Sequence, residues 1–345
     1  MTTRFRRRTA LGALLLLSAL ALPAAAQAPA QPTPAQAAPA QAAPGGWAPD
    51  RPVRVIVPGA PGSGADTAAR AVAQRMAEFT RATIVVENQA GGGGVVGILS
   101  AARARPDGLT LLAAVSGVLL GPLIDRSLPY DAGRDLAAVS QFHRTAVVLM
   151  VTNATPARTL AEFAALVRGA PGQFNMGNFG YGSSSHLISE MIAKRAGGLQ
   201  WQTVPFQSSP PLIRDMLAGH ICCGVSDIGS AREMLRDRML RPLAVSGAAR
   251  SEALPEVPTL SEQGVPGLEV AIWQGMFAPA GTPAPILEYW GRAVAHAVRQ
   301  PELVRLFRDI GAEPVGNTPS EFNAYLGEQR ALWQQIVDET GIRIQ

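Results

Sequence analysis

Two glycine-rich segments carry the residue types and spacing most suited to binding chemistry, and each lies between a predicted strand and a helical pattern. The first runs from Pro58 to Thr67 and the second from Gly177 to His186. A glycine-rich turn before a helix exposes backbone N–H groups and the positive end of the helix dipole, so it binds an anion without a charged side chain. The candidate ligand-binding residues of the first segment are Gly59, Ala60, Gly62, Ser63, Gly64 and Asp66. Those of the second segment are Asn178, Tyr181, Ser183, Ser184 and Ser185.

The first segment departs from the nucleotide-binding motifs that also use glycine-rich turns. A P-loop has Lys after its last glycine, where this chain has Ala65, and a dinucleotide fingerprint has a third small residue where this chain has Thr67. A carboxylate cradle is therefore the interpretation we favour, while a plain tight turn and a phosphate cradle remain alternatives.

Asp66 needs an explanation of its own, because a carboxylate beside an anion site repels the ligand. Either Ser63 or Asp66 caps the following helix, since both residue types accept hydrogen bonds from N-terminal N–H groups. We expect Asp66 to act in capping. The alternative is that it pairs with an amino group of the ligand, which would imply an amino-acid-like ligand.

The serines of the second segment precede His186, an arrangement that also invites a hydrolase interpretation. A nucleophile elbow requires G-x-S-x-G, which the sequence from Gly182 to His186 does not contain. Adjacent Ser and His residues in the first turn of a helix do not face each other, so they make a poor catalytic pair. We therefore expect His186 to be packed or capping, and we expect no enzyme.

Cys222 and Cys223 are the two cysteines of the chain, and they are adjacent. Neighbouring Cα atoms lie about 3.8 Å apart, below the usual range for a disulfide, and successive side chains of a strand point to opposite faces. We expect two free and mostly buried thiols, with a vicinal disulfide and a metal or redox role as alternatives. The four histidines are scattered along the chain, so we expect no metal and no cofactor.

The formal net charge of +4 and the sequence pI of 9.6 suggest an acidic partner, but the excess arginines lie between positions 4 and 8. Residues 47–345 carry 26 basic and 26 acidic residues, so we expect no nucleic acid partner.

The N-terminus has the pattern of a secretory signal peptide over 1–26. The arginines come first, followed by an apolar run over 10–22 and small residues at 24–26. We favour Sec over twin-arginine export. The Ala/Pro/Gln tract over 27–46 predicts a disordered tether, and we expect the mature protein in the periplasm.

Short β-branched runs alternate with helical patterns over the first half of the mature chain, which is the βαβ signature of a mostly parallel sheet covered by helices. Predicted strands lie at 53–59, 83–88, 109–115 and 145–152. The middle of the chain repeats the alternation up to the strand ICCGVSD at 221–227, so we expect two similar α/β lobes. From Pro285 to Ile344 the pattern is mainly helical, and its aromatic residues fall at core spacings.

Six segments carry a resemblance to a known family: VRVIVPGAPGSGAD, VVENQAGGGGVVG, ARPDGLTLL, GYGSSSHL, LAVSGAARSEALPEVPTLSEQGVPG and WQGMFAPAGTP. In order and spacing they closely resemble the solute-binding receptors of tripartite tricarboxylate transporters, the Bug (TctC-like) family, over residues 47–345. The resemblance implies a type II periplasmic-binding-protein-like α/β fold with a ligand cleft between two lobes. Lobe 1 would be residues 47–147 plus 269–345, and lobe 2 residues 148–268. The implied ligand loops add the candidate residues Ser116, Phe206, Gln207 and Asp227.

The chain departs from the family pattern in these ligand loops. Family members usually have an aromatic residue and Pro at 59 and 60, small or polar residues at 179 and 181, Lys at 207 and Phe at 226. This chain has Gly59, Ala60, Phe179, Tyr181, Gln207 and Ser226. The differences imply a reshaped pocket that suits a flat or partly aromatic carboxylate. Alternatively, Phe179 packs within its lobe and Tyr181 alone reaches the ligand.

The expected function is that of an extracytoplasmic, monomeric solute-binding protein that captures a small carboxylate, an organic acid or an amino acid. The partners that the resemblance implies are the permease subunits of a tripartite tricarboxylate transporter, one large and one small. One alternative is a ligand-dependent periplasmic sensor that presents its closed form to a membrane kinase. The other is a secreted hydrolase, which depends only on Ser185 and His186.

Overall fold

Eleven strands and eleven α-helices lie within residues 46–343, the part of the chain that the computed structural model describes. The predicted signal peptide and, apart from Gly46, the predicted tether fall outside the described residues. In chain order the strands are β1 (Val53–Val57), β2 (Ile84–Asn88), β3 (Thr110–Val115), β4 (Leu136–Thr145), β5 (Val147–Thr152), β6 (Asn175–Asn178), β7 (Gln202–Pro205), β8 (Cys223–Asp227), β9 (Leu240–Val245), β10 (Ile272–Pro279) and β11 (Glu313–Pro314). The helices are α1 (Gly64–Thr80), α2 (Val95–Ala102), α3 (Gly117–Ile124), α4 (Ala132–Asp135), α5 (Leu160–Gly169), α6 (Ser184–Arg195), α7 (Ser209–Leu217), α8 (Ile228–Arg236), α9 (Ala284–Val298), α10 (Pro301–Asp309) and α11 (Pro319–Thr340). None of these described helices is both long enough and apolar enough to cross a membrane.

The strands form two sheets that share one topology. The first has the order β11-β4-β10-β3-β1-β2 and the second, written in the same direction, β9-β5-β8-β6-β7. In each sheet the first of three parallel strands, β1 or β6, lies between the other two. An antiparallel strand, β10 or β5, then pairs with the third strand, β3 or β8. The chain therefore has the α/β class that the alternating pattern predicts, with the same strand arrangement in both sheets.

The sheets contain more antiparallel pairs than the alternating pattern predicts. These pairs involve the strands on either side of the connections between the two sheets. Strand β4 ends at Thr145 and β5 begins at Val147, so Ala146 alone separates a strand of the first sheet from one of the second. The segment predicted as one strand over 145–152 is thus divided between the sheets. Strands β4, β9 and β10, which are absent from the predicted set, supply antiparallel pairings on both sides of this connection.

Helices cover both faces of the first sheet, and one helix reaches the second as well. Val55 of β1 faces a cluster formed with α1 and α9, whereas its neighbour Ile56 faces the cluster on the other side, as alternation along a strand requires. Phe322 of α11 packs in this second cluster. Trp333 and Ile336, further along the same helix, pack in the core of the second sheet. Helix α11 therefore contributes to the cores of both sheets.

Candidate functional site

The predicted ligand-binding residues lie at or just beyond the carboxyl ends of five of the six parallel strands, all except β2. In the first sheet β1, β2 and β3 each lead into a helix, and in the second sheet β6, β7 and β8 do the same. The carboxyl ends of parallel strands meet at one edge of a sheet, which is where open α/β folds bind their ligands. The candidate residues therefore occupy one edge of each sheet.

The first glycine-rich turn is held by a helix cap and by a left-handed glycine. Ser63 is the N-cap of α1, and its hydroxyl accepts from the Asp66 N–H at 3.3 Å. Gly62 has a φ of 76°, in the region where a side chain would be strained. The Ser63 N–H donates to Ala60 O at 3.3 Å, and the Thr67 N–H donates to Ser63 O at 2.9 Å. Of the two residues expected to cap this helix, Ser63 is the N-cap.

The Asp66 carboxylate holds the same turn from inside the protein. It is 4% exposed, and it accepts from the Gly62 N–H at 2.8 Å, from Asn88 Nδ2 at 2.9 Å and from Arg70 Nε at 2.9 Å. Burial acts to raise the pKa of Asp66, but the hydrogen bonds from Gly62, Arg70 and Asn88 outweigh it and hold the pKa below its ordinary value. The carboxylate is therefore ionised at neutral pH, and protein groups satisfy its charge.

Two more polar side chains lie at this edge of the first sheet, one just after β3 and one in β10. Ser116 precedes α3, is 7% exposed, and donates its N–H to Trp273 O at 2.9 Å. Gln274 of β10 is 1% exposed, and its Nε2 donates to Ala65 O in the first turn of α1 at 2.8 Å. Gln274 is not among the predicted site residues. The one signal for it in the sequence is a lone amide within an apolar strand.

The second glycine-rich turn has the same construction as the first. Ser183 is the N-cap of α6, and its hydroxyl accepts from the His186 N–H at 3.2 Å. Gly182 has a φ of 75°, and its N–H donates to His186 Nδ1 at 3.0 Å. The Ser183 N–H donates to Gly180 O at 3.2 Å, and the Leu187 N–H donates to Ser183 O at 3.0 Å. His186 is thus a buried residue that caps the turn.

The residues before this turn have very different exposures. Tyr181 is 66% exposed, whereas Phe179 is half-buried and donates its N–H to Ser185 Oγ at 2.9 Å. Asn178 is fully buried, and its Oδ1 accepts from the Gly180 N–H at 2.9 Å. Its Nδ2 has no hydrogen-bond partner among residues 46–343. Of the two aromatic side chains, Tyr181 is the one open to solvent.

The remaining loops of the second sheet hold three candidates in different environments. Phe206 is half-buried and donates its N–H to Asn178 O at 2.8 Å, which joins this loop to the glycine-rich one. Gln207 is exposed. Asp227 is the N-cap of α8, and its carboxylate also accepts from the Ser209 hydroxyl. Like Asp66, Asp227 has its charge engaged by groups of the protein.

Two backbone N–H groups at the start of each of α1 and α6 have no acceptor within the described part of the chain. The first N–H groups of a helix have no partner inside the helix, and here the serine caps satisfy only the third. The four groups are the N–H groups of Gly64, Ala65, Ser184 and Ser185. Each glycine turn therefore ends in a pair of donors suited to an anion.

The structure gathers the candidate residues into two groups, one at the edge of each sheet. Hydrogen bonds link the residues of each glycine-rich turn, and none joins one group to the other in residues 46–343. In the same residues, no three His, Cys, Asp or Glu side chains come together as metal ligands. The arrangement is suited to holding an anion through hydrogen bonds.

Cys222 and Cys223 are both free thiols, with their sulfur atoms 3.7 Å apart. Both sulfurs face Asn175 O, at 3.7 and 3.3 Å, so the prediction that the two side chains point to opposite faces is wrong. The reason is that β8 begins at Cys223, and strand alternation does not extend to the residue before it. A hydrogen bond from Cys223 lowers the pKa of Cys222 to about 6, whereas burial raises the pKa of Cys223.

Comparison with known proteins places this arrangement in a family. The model of the tripartite tricarboxylate transporter family receptor matches residues 68–342. Protein BugT of Bordetella pertussis is 31% identical over 298 residues, which are 86% of this chain and 91% of that protein. The residues matched by the family model include the whole second sheet and the second glycine-rich turn, and they begin just after β1 and the first turn.

Two solved structures have the same fold over nearly their whole length. A Rhodopseudomonas palustris protein solved with adipate is 30% identical, with a TM-score of 0.74 over 86% of this chain and 99% of its own. MatC of Rhodopseudomonas palustris, solved with bound malate, is 29% identical, with a TM-score of 0.70 over 84% of this chain and 99% of its own. The chain therefore belongs to the tripartite tricarboxylate transporter receptor family, whose members are solute-binding receptors rather than enzymes.

Proposed function

We propose that this protein is a periplasmic solute-binding protein that captures a small carboxylate, an organic acid or an amino acid, between two lobes. The observation that carries the proposal is the pair of capped glycine turns, one on each sheet, that end in helix N-termini whose first N–H groups have no acceptor among residues 46–343. Such helix ends attract anions through these N–H groups and through the helix dipole. The relatives solved with adipate and malate support a dicarboxylate as the ligand.

The lobes that we propose are residues 47–147 plus 269–345, and residues 148–268. The division of strands supports this boundary, because the second sheet takes all its strands from residues 147–245. The first sheet takes its strands from both sides of that segment. A ligand held by both glycine turns would then bridge the lobes.

The proposed ligand contacts are backbone N–H groups and side chains at the two sheet edges. The residues proposed to line the cleft are Gly59, Ala60, Gly62, Ser63, Gly64, Asp66, Ser116, Asn178, Tyr181, Ser183, Ser184, Ser185, Phe206, Gln207 and Asp227. A hydrogen bond to a charged group contributes about 1.5–3 kcal/mol, so a few of the N–H groups and serine hydroxyls suffice for tight binding. Within this set, Asp66 acts through the Gly62 N–H and not as an anion contact.

Binding at both edges would favour the closed arrangement of the lobes. A ligand shifts a conformational equilibrium by its difference in affinity for the two states, and a carboxylate that touches both turns has its full set of contacts only when they approach. The membrane partner that we propose is a permease of one large and one small subunit, which would recognise the closed form.

The test removes one backbone donor by placing proline at the first position of α6. Proline is favoured there because its missing N–H has no partner in the helix. Ser183 already has the extended backbone, with φ −71° and ψ 162°, that a residue before proline requires. Ser184→Pro is expected to weaken binding of adipate or malate about tenfold to a hundredfold in calorimetric titrations, through loss of one charged hydrogen bond.

Ser184→Ala is the matched control, because it keeps the N–H and removes only the hydroxyl. It should bind more tightly than Ser184→Pro, and equal affinities would contradict the anion site at α6. A thermal-shift screen of di- and tricarboxylates, aromatic acids and amino acids would identify the ligand, since ligand at about 100 times its Kd stabilises the protein by about 2.7 kcal/mol. No shift with any of these compounds would contradict the capture of a carboxylate.

A further inference from the structure

The two glycine turns have the same hydrogen-bond pattern, with one chemical exchange. The turn glycine has a φ of 76° in the first and 75° in the second, and in both the N-cap serine accepts from the N–H three residues on. The side chain that accepts from the glycine N–H is the carboxylate of Asp66 in the first turn, at 2.8 Å, and the imidazole of His186 in the second, at 3.0 Å. Each turn follows the first strand of a parallel trio, so the two acceptors have equivalent places in the fold.

The two acceptors differ in how they respond to acid. Despite its burial, Asp66 has a pKa below the ordinary 3.8, because the Gly62 N–H, Arg70 and Asn88 stabilise its charged form, and it stays an acceptor at any mildly acidic pH. An imidazole nitrogen accepts only when it carries no proton. The bond from the Gly182 N–H to Nδ1 of His186 therefore requires a neutral ring with its proton on Nε2.

The surroundings of His186 favour this neutral form at neutral pH. Burial lowers the pKa of His186 below the ordinary 6.5, and the Glu190 carboxylate, 3.9 Å from Nε2 on the same helix, opposes that effect. The Tyr181 ring, from the preceding loop, lies edge-on to the imidazole, with 5.3 Å between ring centroids. Thr203 and Trp201, from β7 and the residue before it, are uncharged, and both donate to Glu190 Oε1.

Protonation of the ring removes the acceptor from the second turn. The Gly182 N–H and a new Nδ1–H would then face each other, two donors without an acceptor between them. The constraint on the turn is complete above the ordinary pKa of 6.5 and is lost as the pH falls through the lowered pKa of His186. The turn that presents the N–H groups of Ser184 and Ser185 is loosened, while the first turn keeps its carboxylate.

We propose that Asp66 and His186 are equivalent positioning residues for the ligand, and that His186 makes the second turn, but not the first, release on acidification. The inference rests on the proposed capture of a carboxylate at these turns. Ligand affinity therefore falls as the pH drops through the lowered pKa of His186. A dicarboxylate also takes up a proton in acid, so the effect of the turn is the difference in lost affinity between two proteins that bind the same ligand.

His186→Asn is the variant that tests this role. Asparagine Oδ1 can take the place of Nδ1 as the acceptor for the Gly182 N–H, and it does not titrate. In calorimetric titrations with adipate and with malate, run from neutral pH to well below the ordinary 6.5, the wild type should lose about two- to tenfold more affinity than His186→Asn, the effect of one hydrogen bond. His186→Asn should keep only the pH dependence that comes from protonation of the ligand. His220→Asn, which removes an exposed histidine, is the matched control and should keep the wild-type profile.

The Gly182 amide gives a second measurement that needs no ligand. In ¹⁵N-labelled wild-type protein its NMR resonance should titrate with an apparent pKa below the ordinary 6.5, and in His186→Asn it should not. If neither adipate nor malate binds at any pH, the capture proposal fails for these ligands, and the Gly182 titration still decides the role of His186. A wild-type Gly182 resonance that does not move, or affinities of wild type and His186→Asn that fall in parallel, overturns the proposal.

Discussion

Asp66 lies beside the proposed anion site, yet its charge is directed into the protein. The Gly62 N–H, Arg70 and Asn88 all donate to its carboxylate. An amino group of a ligand would have to compete with the Arg70 guanidinium for the same oxygens. The contacts therefore favour the capping role that the sequence suggests over a role in binding an amino acid.

Asp66→Ala should destabilise the fold, because it leaves the buried end of the turn without an acceptor. We expect a loss of about 1–3 kcal/mol in the free energy of unfolding at neutral pH, measured by urea denaturation. The lowered pKa means that the carboxylate stabilises the fold fully above its ordinary pKa of 3.8 and loses this effect as the pH falls through the lowered value. The deficit of the variant should therefore shrink in strong acid.

Asp50→Ala is the control for this substitution, since the Asp50 side chain is 86% exposed. It should change the free energy of unfolding by less than about 0.5 kcal/mol. A deficit for Asp66→Ala no larger than that of the control would contradict the role assigned to the carboxylate.

Cys222 should react with iodoacetamide before Cys223 does. The thiolate is the reactive form, and the hydrogen bond from Cys223 lowers the pKa of Cys222 to about 6, whereas Cys223 is fully buried. Mass spectrometry of the alkylated protein should place the midpoint of the rate near pH 6. Cys223→Ala removes the donor and should shift that midpoint toward the ordinary pKa of 9.0; an unchanged midpoint would contradict this account.

The residues of the glycine turns were predictable because their roles are local. Serine caps and left-handed glycines act within four residues of one another, so the sequence alone places them. The partners that complete the site come from elsewhere: Asn88 is 22 residues from Asp66, and Gln274 is 209 residues from Ala65. No local pattern can identify such contacts, because strand pairing brings them together.

Among the elements, the parallel strands and β5 were predicted, whereas β4, β9, β10 and β11 were not, for a physical reason. Strand β1 and the other parallel strands are each followed by a turn and a helical pattern, which mark where the strand ends. Strand β10 is buried along nearly its whole length and contains Gln274 and Gly275, so it has neither strict alternation nor flanking signals that separate it from a buried helix. Strands β4 and β10 pair with each other, and each is recognisable only once the other is in place.

Alanine substitution at two helical glycines should have opposite effects on stability, because the space around the two positions differs. Gly229 of α8 lies against the residue after α10, where an added Cβ would collide with the Ile310 carbonyl oxygen. Gly229→Ala should cost about 1–3 kcal/mol in the free energy of unfolding. Gly327 of α11 has open space around its Cβ position, so Gly327→Ala should stabilise the helix by about 0.5–1 kcal/mol.

Urea unfolding of both variants beside the wild type checks this pair. The two substitutions are chemically identical, so a difference in sign between them reports the space around each position. A Gly229→Ala protein as stable as the wild type would mean that α8 and the end of α10 separate without cost.

For the whole molecule, charge balance predicts how the ligand arrives. Residues 47–345 carry equal numbers of basic and acidic residues, so long-range attraction of an anion is weak. The association rate of adipate, measured by stopped flow, should change less than about twofold up to 0.2 M salt. Gln207→Lys adds a cation at an exposed loop position and should raise the rate at low salt. A steep salt dependence in the wild type would contradict local binding as the dominant effect.

Helix α11 and the single residue between β4 and β5 together limit how the two sheets can move. Ala146 offers only two soft torsions between a strand of one sheet and a strand of the other. Phe322 near the start of α11 is packed in one core, and Trp333 further along it is packed in the other. Rotation at Ala146 must therefore be accompanied by sliding of α11 against at least one core. Closure of the proposed lobes would combine a hinge with a shear, and interdigitated side chains would limit the amplitude of the shear.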